Sequence, residues 1–401
     1  MAAAEAEPAG RVAVRRVFYV PGFDPSPPRR YREMYRTEAA RQAEITGRAI
    51  TMSARSASGA YGWRAEADEV LADFEVLVWS DIVRASMRTG IVATYLQLAR
   101  VVWIYVGSGA LVRLLRLRKG PMIAAIYPIV YLLAVLGLAL GVGWLAAGLA
   151  RPGGAGPEVA AFVAVVWAVL EASRRADGRV YAWYLMHDYA FTAEHRGANP
   201  APLEARMAGF RARIATVLAA PCDEVLVVGH SSGVHIAVSV LADLIRAGEA
   251  PAGGPALGLL SLGQVVPMVS FLPEAHRLRA DLGYLAACPH LTWVDVTAPG
   301  DGCAFALCDP VAVSGVAPPG KRWPLVLTAA FSQTLSPERW RRLRWRFLTL
   351  HFQYLCAFDR PDAYDYFAIT AGPLTLAERF RGRSPAKGRI ETPLNPHGRA
   401  R

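Results

Sequence analysis

The chain has 401 residues, 53% of them apolar and only 19% charged, where about 25% charged is usual. That balance excludes a disordered chain, a collagen and a small disulfide scaffold, and the length suits one large domain or two ordinary ones. There are 44 basic and 33 acidic residues, a net charge of +11, yet only Lys119, Lys321 and Lys387 are lysines. An arginine excess this lopsided reports a GC-rich coding sequence more readily than a nucleic-acid site. No helix pairs a basic face with base-reading side chains, so no nucleic-acid partner is expected. Five cysteines (Cys222, Cys288, Cys303, Cys308, Cys356) form no CxxC pair, which argues against a zinc site or disulfide framework and for a reducing compartment. The first residues carry acids and no apolar run, unlike a secretory signal.

In chain order, Val14–Val20 reads as a strand running into Pro21-Gly22-Phe23. Residues 65–73 read as a helix and 74–79 (FEVLVW) as a second strand. The segment 91–112 is apolar but holds Arg100, which would cost about 2.5–3.5 kcal/mol at the centre of a span. It reads as an amphipathic or membrane-surface helix.

Residues 120–150 contain no Asp, Glu, Lys or Arg, and about 20 apolar residues suffice to cross a bilayer. A second, weaker apolar run, 159–170, follows a short loop. Arg113, Arg116, Arg118 and Lys119 precede the pair, Arg174 and Arg175 follow it, and the connecting loop carries only Arg151. The positive-inside rule places both outer flanks in the cytoplasm. Residues 120–172 are therefore expected to form a transmembrane helical hairpin.

Beyond the hairpin, 202–218 and 232–247 have helical periodicity, whereas 224–228, 257–262 and 291–296 read as strands. Strands alternating with helices imply an α/β fold with a mostly parallel sheet. If the strands before and after residue 120 share that sheet, the insertion must cross the membrane an even number of times. That parity is the reason to accept the weak second run, and it expects the strands at 74–79 and 224–228 to be neighbours. The Pro/Gly/Arg-rich tail from residue 381 is expected to be disordered.

The chemistry-bearing segment is Gly229-His230-Ser231-Ser232-Gly233, a G-x-S-x-G set between a strand and a helix. Glycines two positions either side let strand and helix backbones approach, holding Ser231 in a strained turn with its hydroxyl exposed. In this frame the chain resembles the α/β-hydrolase superfamily over residues 11–88 and about 177–380, and in particular bacterial membrane-associated hydrolase-like proteins of unassigned substrate.

The resemblance implies an α/β-hydrolase-like sheet with helices on both faces, and a triad in the order Ser, acid, His. Asp301, in a loop 70 residues past Ser231, is the expected acid, with Asp309 second. Only His351 and His397 follow Asp301; His397 lies in the basic tail, so His351 is the expected base, although it sits in no Gly-rich loop. The oxyanion donors implied are the backbone N–H groups of Ser232 and Phe23. Gly22 and His230 are the expected pocket residues.

The domain division that follows is 1–88 and 177–380 as two parts of one hydrolase domain, 89–176 as the membrane insertion, and 381–401 as the tail. The expected activity is a serine hydrolase of the bacterial inner membrane, its hydrolase domain facing the cytoplasm. Its expected partners are a small-molecule or lipid ester and membrane lipids, with no cofactor or metal. An acyltransferase or thioesterase on the same triad, and an inactive hydrolase-fold scaffold, stand as alternatives.

Overall fold

The computed structural model describes residues 10–54, 60–362 and 364–398; the acid-bearing N-terminus lies outside them. Eight strands build one sheet: β1 (Val14–Val20), β2 (Thr51–Ala54), β3 (Gly62–Ala67), β4 (Val70–Val76), β5 (Glu224–His230), β6 (Ala256–Leu262), β7 (Thr292–Thr297) and β8 (Leu325–Thr328). Their order is β2-β3-β4-β1-β5-β6-β7-β8. The pairs β2–β3 and β3–β4 are antiparallel and all others are parallel.

The central strands are buried on both faces. In β5 (EVLVVGH) every residue is buried, as a parallel strand covered by helices requires. Val225 and Val227 pack with helices Ala201–Leu218, Gly233–Arg246 and His276–Ala287 on one face. Leu226 and Val228 pack on the other, with Tyr31 and Tyr35 of helix Arg29–Thr46 and with Leu350 and Tyr354. The fold is thus α/β, a mostly parallel sheet with helices on both faces.

Three expectations change. Residues 65–73 are not a helix: β3 ends at Ala67, Asp68 takes φ +52° at the turn, and β4 begins at Val70. The Ala/Glu/Asp-rich sequence favours a helix locally, but Trp63, Ala65 and Ala67 alternate inward and bury as a strand does, so tertiary burial prevails. The strands near 74 and 224 share the sheet without touching, because β1 lies between β4 and β5. Within the tail, residues 381–398 are tied down. Ile390 bridges Cys308, Ala386 N–H donates to Val326 O at 2.8 Å, and the Asn395 amide donates to Ser270 O and Ser314 O.

The insertion leaves the sheet after β4 and returns before β5. Helix Ser80–Ser86 bends by 100° into Ile91–Gly107. The expected surface helix 91–112 breaks at Gly109 (φ +70°), beyond which Ala110–Leu117 follows. Arg100 reaches out of the apolar stretch and donates to Glu194 O at 2.8 Å, at a helix C-terminus where a cation is favoured. Among the described residues, two helices are long and apolar enough to cross a membrane. Helix Lys119–Ala150 has 32 residues and Ala155–Arg175 has 21, about 48 and 31 Å of axis against a hydrocarbon core of about 30 Å. The second helix is longer than its apolar run, because Glu171 pairs with Arg174 and Arg175 within it. The two pack at Gly143, where an added Cβ would lie 2.7 Å from Val166.

Candidate active site

Ser231 stands at the carboxyl end of β5 with φ +55°, a left-handed conformation that costs a non-glycine residue about 1–3 kcal/mol. Three close contacts fix it. Its N–H donates to Leu262 O at 2.9 Å. A Cβ on Gly233 would lie 2.2 Å from Val20 O, so only glycine lets the following helix meet the end of β1. A Cβ on Gly22 would come within 2.9 Å of Ser231 Cβ. The turn Pro21-Gly22-Phe23 therefore presses directly on the serine.

His351 ends the short helix Phe347–His351 and is buried. Its Nδ1–H donates to Asp301 Oδ2 at 2.7 Å. The same oxygen accepts from the Tyr354 hydroxyl at 3.0 Å, while Oδ1 accepts from Cys303 N–H at 2.9 Å. Burial raises the Asp301 pKa, but His351 and these donors outweigh it and hold the carboxyl below its ordinary value. Asp301 thus stays ionised, as a group orienting an imidazole must. The other ring nitrogen, His351 Nε2, is buried without a hydrogen-bond partner.

Ser231 and His351 line one cavity of about 80 Å³, together with Gly22, Phe23, Asp188 and His230. No hydrogen bond joins Ser231 to His351 among the described residues. Sites without substrate are often this loose. Gly263 (φ +54°) backs the histidine: a Cβ there would lie 3.0 Å from His351 Cε1.

The other expected residues divide. His230 Nε2–H donates to His351 O at 3.0 Å, and burial followed by His351 lowers the His230 pKa to about 3. It is a neutral brace beneath His351. Phe23 N–H, the expected second oxyanion donor, donates to Ser232 Oγ at 2.9 Å, so that donor is engaged. The Tyr184 hydroxyl holds the Phe23 carbonyl. The second-ranked acid, Asp309, lies apart from His351: it caps helix Pro310–Val313 and pairs with Lys321. His397 lies on the tail, with its N–H donated to Asn395 Oδ1.

Asp188, on helix Ala182–Glu194, also faces the cavity, and its carboxylate accepts no hydrogen bond among the described residues. Burial raises its pKa to about 7. Nothing in the spacing of His187-Asp188 marks it, since only tertiary packing brings this helix over β5. Tyr354 and Gly263 are likewise recognisable only in three dimensions.

Asp301, Cys303 and His351 place ligand-type atoms within 4.8 Å of one another. The direct His351–Asp301 bond occupies the pair that an ion would bridge. Burial, then Asp301 and Asp188, push the Cys303 thiol well above its usual range, whereas a soft metal needs the thiolate. The arrangement favours proton transfer over metal binding.

Comparison of the chain with protein-family models, with curated proteins and with solved structures gives no match. The chemistry of the site therefore rests on its own geometry.

Proposed function

We propose that the protein is a membrane-anchored serine hydrolase of the α/β-hydrolase type, acting on an ester. The observation that carries this reading is the shared cavity: it is lined both by a strained serine and by a carboxylate-bonded histidine whose other ring nitrogen has no partner. Ser231 Oγ attacks the ester carbonyl carbon while His351 Nε2 takes its proton. The tetrahedral oxyanion collapses, and the alcohol leaves with that proton. Water, deprotonated by His351 in turn, releases the acid and restores the serine. Asp301 fixes the ring and stabilises the imidazolium. Ser232 N–H is the first oxyanion donor, and each such donor is worth about 2.7–4 kcal/mol. Phe23 N–H becomes the second when the Ser232 hydroxyl rotates away.

One observation favours an inactive scaffold instead: the engagement of Phe23 N–H by Ser232. Labelling with a fluorophosphonate decides. Wild-type protein should label covalently, and Ser231→Ala should not. Equal labelling of both, or of neither, ends the hydrolase reading.

The setting we infer is the inner membrane of a bacterium, with the sheet on the cytoplasmic side. Parity supports it, because β4 and β5 flank β1 and the chain must return to the side it left. Arginines on both outer flanks of the hairpin set the side. Exposed Trp345 and Phe347 stand among Arg341, Arg342, Arg344 and Arg346, just before Leu348 of the cavity wall, a combination suited to the headgroup layer. In a background free of native cysteines, a cysteine at Gly154 should react with an impermeant thiol reagent from outside intact cells, and one at Gly178 should not. Reaction at both positions, or at neither, removes the hairpin.

A further inference from the structure

A second cavity, of about 290 Å³, lies beside the first between helices Ile91–Gly107 and Lys119–Ala150. Its walls include Val101, Val106, Met122, Ala125 and Ile126. Two hydroxyls belong to its lining side chains: that of Tyr105 donates to Met268 O at 2.9 Å, and that of Tyr189 stands on the wall shared with the Ser231 cavity. Every other lining side chain is apolar, so the body of the cavity suits an apolar ligand. Tyr189 and Met268 line this cavity and the Ser231 cavity alike, so the two adjoin at those side chains.

Its outer end faces the surface that a bilayer covers. Val106 and Ile126 line the cavity and are 55% and 37% exposed. Beyond them, Ile123, Val130 and Leu133 on one helix and Leu96 and Trp103 on the other are also exposed and apolar. An apolar surface of this extent is foreign to water and natural to lipid. The membrane helix reaches the catalytic cavity directly: Pro121 lines it, and Gly120 packs on Gly302 beside Asp301.

We propose that this cavity holds the acyl chain of a membrane lipid ester, admitted from the bilayer between the two helices and directed past Tyr189 and Met268 to Ser231. The inference rests on the reading of Ser231 as the nucleophile, and it names the substrate class: a long-chain acyl ester, not a water-soluble one. Each methylene seated in the groove should then improve kcat/KM by about fourfold until the groove is filled.

The test separates the groove from the chemistry. Full-length Ser231→Ala protein in lipid nanodiscs, which cannot turn over an ester, is irradiated with a monoacylglycerol whose palmitoyl chain ends in a diazirine, and the adducts are mapped by mass spectrometry. The expected adducts fall on Val101, Val106, Met122 or Ile126, and Ala125→Trp, which fills the groove, lowers their yield at least tenfold. The milder Ala125→Leu gives an intermediate yield should the tryptophan variant fail to fold. Adducts confined to outward residues such as Val130 and Leu133, absent adducts, or groove adducts indifferent to both Ala125 variants overturn the proposal. Fluorophosphonate labelling of the wild type, run in parallel, reports on Ser231 alone, so failure of the hydrolase reading remains distinguishable from failure of the groove.

Discussion

At the amino end of β1 and β5, Arg15 meets Glu224 at 2.5 Å, wholly buried, and Arg15 also donates to the carbonyls of Gly372 and Leu374. Glu224 accepts in turn from Leu376 N–H. At the carboxyl end of the same strands, His351 meets Asp301 at 2.7 Å, equally buried. There, however, His351 Nε2 has no partner and the Asp188 carboxylate accepts no hydrogen bond among the described residues. The Arg15–Glu224 pair is closed upon itself, whereas the carboxyl end leaves His351 Nε2 unpaired on a side chain that lines a cavity. Buried charge alone therefore does not mark a site. What distinguishes the carboxyl end is an unpaired buried atom on a side chain that lines a cavity, where a further group can engage it.

The largest expected effect belongs to the open end. Asp301→Asn should lower the rate of fluorophosphonate labelling by about 10⁴-fold, because the amide presents the wrong partner to His351 Nδ1 while leaving the fold intact. Asp309→Asn should leave the labelling rate close to wild type and lower thermal stability, because the amide can still cap the helix but loses the charge that pairs with Lys321. The reverse pattern would move the acid of the triad to Asp309.

The closed end should respond only in stability. Arg15→Met leaves Glu224 as an uncompensated buried charge and should cost about 3–5 kcal/mol in chemical denaturation, with the labelling rate of the folded fraction unchanged. A fall in that rate would show that the two ends of the sheet are coupled, and the contrast between them would lose its meaning.

The two ends were unequally legible in the sequence. The Ser231 turn was legible because its demands are local: an apolar strand, two glycines where backbones touch, and a following helix. The hairpin was legible because absence of charge over 120–150 needs no tertiary context. Strands β2, β3 and β8 were not, being short or rich in helix formers, and their pairing comes from the sheet. The engagement of Phe23 N–H by Ser232 was hidden too, because a motif specifies which backbone donors are near a serine and not what they bond. Asp188 is the extreme case: its helix follows the two long apolar helices in the chain, and only packing brings it to the cavity that His351 lines.

Asp188 gives the smallest effect and the finest test of the open end. Its carboxyl titrates near 3.8 when unfolded and, through burial, at about 7 when folded. Below about pH 4 both states hold the proton and the residue contributes nothing to pH dependence. Between about 4 and 7 the folded state keeps a proton that the unfolded state has lost, so stability falls as pH rises. Above about 7 the penalty is complete and constant. Asp188→Asn removes the ionisation, so its melting temperature should match wild type at pH 4 and exceed it at pH 8, by about 1–2 °C for each kcal/mol relieved. A difference of the same size at both pH values would mean that the substitution acts through packing. A wild type more stable at pH 8 would mean that the folded protein gives Asp188 a partner, and the cavity would then be closed at this wall as Arg15 and Glu224 are closed at the other end.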